Sequence, residues 1–182
     1  EYCVSWTVNH LRDADDIKQD RSRNINILEK LKETKGLPTR LKFYYGKELY
    51  EMQEPGNAVV AFEDYLKCYD CDSHDKILAY QYAAYASYQM AALIKDELKE
   101  QKFKYIDKSI NFAQEGIKLD SSRAEFHIAI GDANLVKGDI PKALTSYGAA
   151  KYCINPKSMG SPYASAVFSF DECYGIIPRI QV

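Results

Sequence analysis

The sequence predicts an all-α protein, a solenoid of stacked helix–turn–helix units preceded by one short β-strand. The first observation is a spacing that occurs twice: a glycine, an alanine twelve residues later and an aromatic residue sixteen residues later. The two copies are Gly46, Ala58 and Phe62, and Gly131, Ala143 and Tyr147. In a pair of antiparallel helices, the small residues would lie where the backbones approach most closely, and the ring would fill the space further along. The second observation is that a convincing strand pattern is found only at the N-terminus.

The first element is a strand over residues 2–8, in which apolar side chains alternate with small or polar ones. The apolar positions are Tyr2, Val4, Trp6 and Val8. Because a single strand is not stable alone, we expect it to belong to the sheet of an upstream domain, and the chain to be a piece of a longer protein. His10 follows the strand directly. It is either a ligand at the strand end or an ordinary polar residue at a domain border.

A linking helix is expected next, after a run of charged residues from 12 to 23. Its apolar face is formed by Ile25, Ile27, Leu28 and Leu31. Gly36 and Pro38 are typical of a helix end. We therefore divide the chain into a junction segment, 1–37, and a helical repeat domain, 38–182. The first repeat unit is predicted from about Thr39 to Cys68.

The middle unit is predicted to be longer than the others. Gly46 and Gly131 lie 85 residues apart, whereas two regular periods would separate them by about 68 residues. Its helices are predicted over Asp75–Leu93 and Phe103–Leu119. The last unit is expected to open with a capping box formed by Asp120-Ser121-Ser122 and Glu125. The last segment, 162–182, is apolar, and we expect a further helix to follow it.

Net charge and cysteine content exclude several classes of function. A net charge of −2 and an isoelectric point near 6.0 argue against a nucleic-acid or anionic-membrane partner, which would require a basic face. No apolar run reaches the roughly 18–20 residues of a membrane span. With five cysteines and no secretory signal, a reducing cytoplasm is the expected compartment. The 15 tyrosines either fill space between helices, which we favour, or line a binding groove.

Two short motifs carry possible chemistry. Cys68, Cys71 and His74 have the spacing of half a zinc site, but they lack further ligands nearby, so we interpret them as structural and expect no stoichiometric zinc. Residues 13–16 contain the DxD spacing that can hold a cation, but inside a run of charges. Nucleotide-binding glycine loops, nucleophile elbows and HExxH motifs are absent from the sequence. We therefore expect the chain by itself to be non-catalytic.

The repeated glycine, alanine and aromatic positions resemble the tetratricopeptide repeat, a helix–turn–helix unit of about 34 residues. The resemblance implies that the first helix of each unit lines a groove for a protein or glycan acceptor, or for a second copy of the chain. The implied groove residues are Arg40, Phe43, Lys47, Tyr50, Glu51, Glu125, Ile128, Asp132 and Leu135. Their mixed character predicts a partner with polar and apolar parts. The lysine–asparagine clamp for a chain-terminal carboxylate is not found at these positions.

A second, narrower resemblance concerns the junction. Arg23-Asn24 running into Leu28-Glu29, followed by the helix Tyr44 to Leu49, resembles bacterial and phage family-2 glycosyltransferases that carry such repeats behind the catalytic domain. The resemblance implies that this chain is the C-terminal binding module of such an enzyme. His10 would inherit a metal-ligand role, and the upstream domain would hold the divalent metal and the nucleotide sugar. No cofactor is expected in this chain itself. The alternative is a free-standing scaffold with no enzyme attached.

Overall fold

The computed structural model describes residues 14–153, with side chains described from residue 23 onward. Within this range the protein is all-helical and contains no β-strand. The helices are α1 (Ala14–Lys35), α2 (Thr39–Glu51), α3 (Pro55–Leu66), α4 (Ser73–Leu93), α5 (Lys99–Leu119), α6 (Ala124–Lys137) and α7 (Ile140–Lys151), with a short 3₁₀ turn at Asp96–Leu98. The predicted N-terminal strand, His10 and the apolar C-terminal segment lie outside the described residues.

The chain divides into two units between Leu37 and Pro38. The described part of the first unit is α1, which ends where sequence patterns place a helix end. Gly36 has a φ of 75° and donates its backbone N–H to the carbonyl of Lys32 at 3.2 Å. This left-handed conformation is accessible to glycine without a steric penalty, and it stops the helix. None of the described helices combines the length and the apolar character that a membrane span requires.

The second unit contains α2 to α7, whose ends follow local chemistry. Asp72 caps α4, since its side chain accepts hydrogen bonds from the backbone amides of His74 and Asp75, as N-cap residues do. Asp139 caps α7 in the same way. The predicted capping box at α6 is wrong. Its aspartate, Asp120, accepts instead from the backbone and hydroxyl of Ser122, and Arg123 precedes the helix without a side-chain cap.

The six helices form three antiparallel pairs, α2 with α3, α4 with α5 and α6 with α7, and successive pairs also pack on each other. The glycines lie where the pattern predicts close approach. A Cβ added to Gly46 would come within 2.8 Å of the Phe62 ring, and one added to Gly131 would overlap the Tyr147 ring. Ala58 is fully buried. The helix–turn–helix prediction is therefore confirmed, with each ring lying over its glycine rather than further along.

The predicted lengthening of the middle unit is also confirmed. Both α4 and α5 contain 21 residues, whereas α2 and α3 contain 13 and 12. Small residues let the long pair pack closely, since Ala84 and Ala113 are buried in one cluster, and in a second cluster the small Ala91 lies with the larger Ile106. The helix α5 begins at Lys99, four residues before the predicted start.

The additional turns separate the positions at which the two neighbouring pairs pack along α4. Tyr50 of α2 packs against Tyr82, with ring centroids 5.2 Å apart. By contrast, Arg123, directly before α6, contacts Gln81, and α6 continues along α4 until its Ala133 joins the cluster of Ala91. The pair α6–α7 is therefore displaced toward the C-terminal end of α4 relative to the pair α2–α3.

Candidate binding groove

The first helices of the three pairs pack directly against one another, α2 on α4 and α4 on α6. Side-chain hydrogen bonds join them. Gln89 Nε2 of α4 donates to the hydroxyl of Tyr50 of α2 at 3.3 Å. The hydroxyl of Tyr85 of α4 donates to the backbone carbonyl of Glu125 of α6 at 3.2 Å. Together these helices form one surface, which we call the first-helix surface.

Four of the five predicted groove residues of α2 lie at least partly on the molecular surface. Arg40 is exposed, and Lys47, Tyr50 and Glu51 are half-buried. Lys47 and Glu51, one helical turn apart, form an ion pair of 3.8 Å. Burial raises the pKa of Tyr50, and this effect is larger than that of the hydrogen bond from Gln89, which lowers the pKa. The phenol is therefore neutral at pH 7 and able both to donate and to accept hydrogen bonds.

Phe43, the fifth predicted residue of α2, lies in the core. It is only 3% exposed, and its ring packs against the rings of Phe62 and Tyr65, with centroids 6.2 and 5.6 Å away. Tyr82 of α4 covers it as well, with ring centroids 6.5 Å apart. A side chain enclosed by both neighbouring helices cannot contact a ligand in the groove, so Phe43 supports this surface from beneath.

Glu125 is also placed in the interior. It is fully buried, with its carboxylate 3.6 Å from the guanidinium of Arg123. Arg123 in turn donates to Gln81 Oε1 at 3.0 Å. A buried charge is tolerated when it is paired and hydrogen-bonded, and removing one partner is then costly. This polar cluster therefore fastens the start of α6 to α4 and is not available to a partner.

The remaining α6 residues differ in their environments. Leu135 is 46% exposed, whereas Ile128 is half-buried against the small cluster of Ala124 and Ala150. The Asp132 carboxylate accepts a hydrogen bond from the hydroxyl of Tyr147. Burial raises the pKa of Asp132, although the bond from Tyr147 acts in the opposite direction. Leu135 and Asp132 thus supply an apolar contact and a partly desolvated acid.

The centre of the first-helix surface is formed by α4, for which the glycine spacing identified no individual groove residues. Tyr85, Tyr88 and Gln89 are half-buried there. Burial raises the pKa of Tyr88, and the nearby Asp132 carboxylate raises it further, so α4 and α6 are electrostatically coupled. The sequence feature that could have identified this part of the surface is the run of tyrosines in α4. Such a run is also typical of side chains that fill the space between helices.

The cysteine motif forms a local structure at the end of α3. The thiol of Cys68 donates to the backbone carbonyl of Asp64 at 3.6 Å, and that of Cys71 to the carbonyls of Tyr65 and Cys68, both at 3.1 Å. Burial raises the pKa of the Cys71 thiol, which disfavours the thiolate that binds metals. Within residues 23–153, no three His, Cys, Asp or Glu side chains are placed to hold a metal ion.

Comparison with known proteins identifies the fold. No protein-family model matches the sequence, and no curated protein matches it. Among solved structures, the crystal structure of MamA is similar to this chain, with a TM-score of 0.56 and 18% sequence identity over 76% of this chain and 73% of that one. The likeness shows a helical repeat fold of the tetratricopeptide type. It gives the glycosyltransferase resemblance no support.

Proposed function

We propose that this chain is a non-catalytic binding module that holds a segment of a partner protein on the first-helix surface. The observation that carries the proposal is the direct packing of α2, α4 and α6. It places side chains of three different helix pairs side by side. Stacked repeats of this kind form extended surfaces suited to peptides and proteins.

The chemistry of the surface favours a segment with both polar and apolar side chains. Tyr50 and Tyr88 offer rings with neutral hydroxyls, which bind apolar groups on the face and polar groups at the edge. Leu135 adds an exposed apolar contact. Lys47 and Glu51 offer one charge of each sign. A glycan acceptor or a second copy of the chain would require the same surface, and both are outcomes of the experiment below.

The experiment selects peptides from a random display library on the purified chain and measures their affinity by fluorescence polarisation. Leu135→Glu should weaken binding about tenfold or more, because it introduces a charge at an apolar contact. The matched control is Val60→Glu, since Val60 is 64% exposed but lies on α3, a second helix. Equal loss in both variants, or selection of no peptide while oligosaccharides or a second copy bind, would reject the proposal.

The attachment of this module to a glycosyltransferase is a separate hypothesis. Its support is limited to the Arg23-Asn24 and Leu28-Glu29 pairs, which lie in α1, and to the stretch from Tyr44 to Leu49 in α2. The test is the gene sequence upstream of Glu1. A sheet-rich domain with a DxD motif after a buried strand would favour the hypothesis, whereas an immediate start codon would favour a free-standing scaffold.

A further inference from the structure

Two cysteines occupy the same position in two of the helix pairs. Cys68 and Cys153 lie 85 residues apart, the distance that also separates Gly46 from Gly131, and each follows the second helix of its pair. Their thiols make the same bond, since each donates to the carbonyl four residues earlier at 3.6 Å. Both thiols are half-buried. A difference in reactivity between them must therefore come from their neighbours.

The first neighbour of Cys68 is a second cysteine. Cys71 follows it by three residues, whereas Pro156 has that place after Cys153. Residues 69 and 70 are the centre of a turn, and the first and fourth Cα atoms of a turn lie within about 7 Å of each other. Disulfides join Cα atoms that are about 4.4–6.8 Å apart. The Cys71 thiol donates to the carbonyl of Cys68 at 3.1 Å, so the backbone of this turn is compatible with a disulfide.

The second neighbour of Cys68 is a lysine. Lys42 of α2 forms an ion pair of 2.9 Å with Asp64. The hydrogen bond to Asp64 raises the pKa of Lys42, and the sulfur of Cys68 adds to this effect. The ammonium is therefore charged at pH 7 and lies close to that sulfur, where it stabilises the negative charge of an attacking thiol. Cys153 has a carboxylate near it instead, since burial and then Glu125 raise its pKa.

The two thiols of the turn differ in readiness to react. The Cys71 thiol donates to the carbonyls of Tyr65 and Cys68, both at 3.1 Å, and burial raises its pKa. Cys71 is therefore held as the protonated thiol, and Cys68, beside the ammonium, is the one expected to react first. Tyr69, between the two cysteines, is fully exposed. The turn thus faces the solvent, and a small oxidant can reach it.

We propose that Cys68 and Cys71 are a redox modification site, at which hydrogen peroxide converts the two thiols into a reversible disulfide. The Cys68 sulfur attacks one peroxide oxygen, the O–O bond breaks, and the thiol proton leaves with the other oxygen as water, so that a sulfenic acid remains. The Cys71 sulfur then attacks the sulfenic sulfur, the S–O bond breaks, and the hydroxyl leaves with the Cys71 proton as a second water. Two molecules of glutathione reverse the change by thiol–disulfide exchange. The site lies outside the first-helix surface and does not depend on the proposed function.

The test treats the reduced full chain with one equivalent of hydrogen peroxide, blocks free thiols with N-ethylmaleimide and maps every cysteine by mass spectrometry. Trypsin cuts after Lys67 and Lys76, so one peptide carries both cysteines of the turn. We expect this peptide to lose two hydrogen atoms, and reduced glutathione to restore both thiols. Cys153 is the matched control. It should react about tenfold more slowly or less, because a carboxylate rather than an ammonium lies near it.

Three variants test the order of the two steps. In Cys71→Ser, dimedone should trap the sulfenic acid of Cys68, and no disulfide should form. In Cys68→Ser, dimedone should label Cys71 no faster than Cys153. Lys42→Gln should slow the oxidation of Cys68 about threefold to tenfold, because no ammonium then stabilises the attacking sulfur. Lys104→Gln, at an exposed lysine of α5, is its control and should leave the rate unchanged.

Several results would overturn the proposal. Equal rates at Cys68 and Cys153 would show that the neighbours of Cys68 have no effect, and an unchanged rate in Lys42→Gln would exclude the role of the ammonium. A disulfide from Cys68 to Cys3 or Cys173, which lie outside the described residues, would identify a different pair. Oxidation of Cys68 to a sulfinic acid without a disulfide would show that Cys71 does not reach it. A disulfide that glutathione leaves intact would be structural rather than reversible.

Discussion

Gly131 of α6 lies directly beneath the ring of Tyr147, with no room for a Cβ atom. Gly131→Ala should therefore lower the free energy of unfolding by about 1–3 kcal/mol, as overpacking does. Gly148 of α7 is a matched control, because an added Cβ would meet nothing within 4 Å. There the same change should raise stability by up to about 1 kcal/mol through helix propensity. Circular dichroism melts measure both variants, and equal effects would contradict the packing.

Asp132 should give the protein an unusual dependence on pH. Burial raises its pKa above the value in the unfolded chain. The folded state therefore binds the proton more tightly, and the contribution of Asp132 to stability is fully present below the unfolded pKa and is lost as pH rises through the folded pKa. The window begins near pH 4, the ordinary value for aspartate, and extends upward.

The measurement compares the wild-type chain with Asp132→Asn, whose amide oxygen still accepts a bond from Tyr147. As the pH falls from 7 toward 4, the stability of the wild-type chain should improve relative to the variant, as followed by urea denaturation. A difference that is constant over this range, or that shrinks as the pH falls, would show that burial does not control this acid.

Among the elements, α4 and α5 pack through small side chains that include two buried serines. Ser87 and Ser109 are fully buried, and neither hydroxyl has a hydrogen-bond partner among the described residues. Ser87→Ala or Ser109→Ala should therefore raise the free energy of unfolding by about 1 kcal/mol or more, since a desolvated hydroxyl is removed. Urea denaturation tests each variant.

Ser146→Ala provides the baseline for these serine variants. Its hydroxyl donates to the carbonyl of Lys142 at 2.9 Å within α7, so this change combines the gain in helix propensity with the loss of a bond. We expect Ser87→Ala and Ser109→Ala to raise the free energy of unfolding more than Ser146→Ala does. Destabilisation at both buried positions would mean that their hydroxyls are bonded in solution.

The elements were largely predictable because their signals are local. Two glycines at a fixed distance from large rings indicate close helix pairs, and the excess spacing between Gly46 and Gly131 predicts the long middle unit. The failures concern neighbours in space. Phe43 and Glu125 have the offsets of groove residues, but Tyr82 covers one and Arg123 pairs with the other. The first contact joins α2 to α4, and Arg123 is itself bound to Gln81 of α4, so an offset within one helix reports neither environment.

At the scale of the molecule, stability should be highest in the middle of the second unit. The pair α4–α5 packs on both neighbouring pairs, whereas α2 contacts only helices on one side of it within that unit. In helical repeats, each unit is stabilised by its interfaces with its neighbours. Amide hydrogen exchange should therefore be slowest near Ala84 and Ala113, and faster in α2. Uniform protection across all six helices would instead indicate a single cooperative unit.

The displacement of α6–α7 along α4 sets a spacing rule for any extended ligand. The helix α4 exceeds α2 by eight residues, which corresponds to about 12 Å of helix axis. An extended peptide rises about 3.3 Å per residue. A ligand that contacts both α2 and α6 must therefore run diagonally, and every 3.3 Å or so of displacement adds about one residue to the spacing between its two anchoring side chains. Inserting or deleting residues between those two anchoring side chains would test this spacing requirement, because the affinity of the ligand should be highest at one linker length.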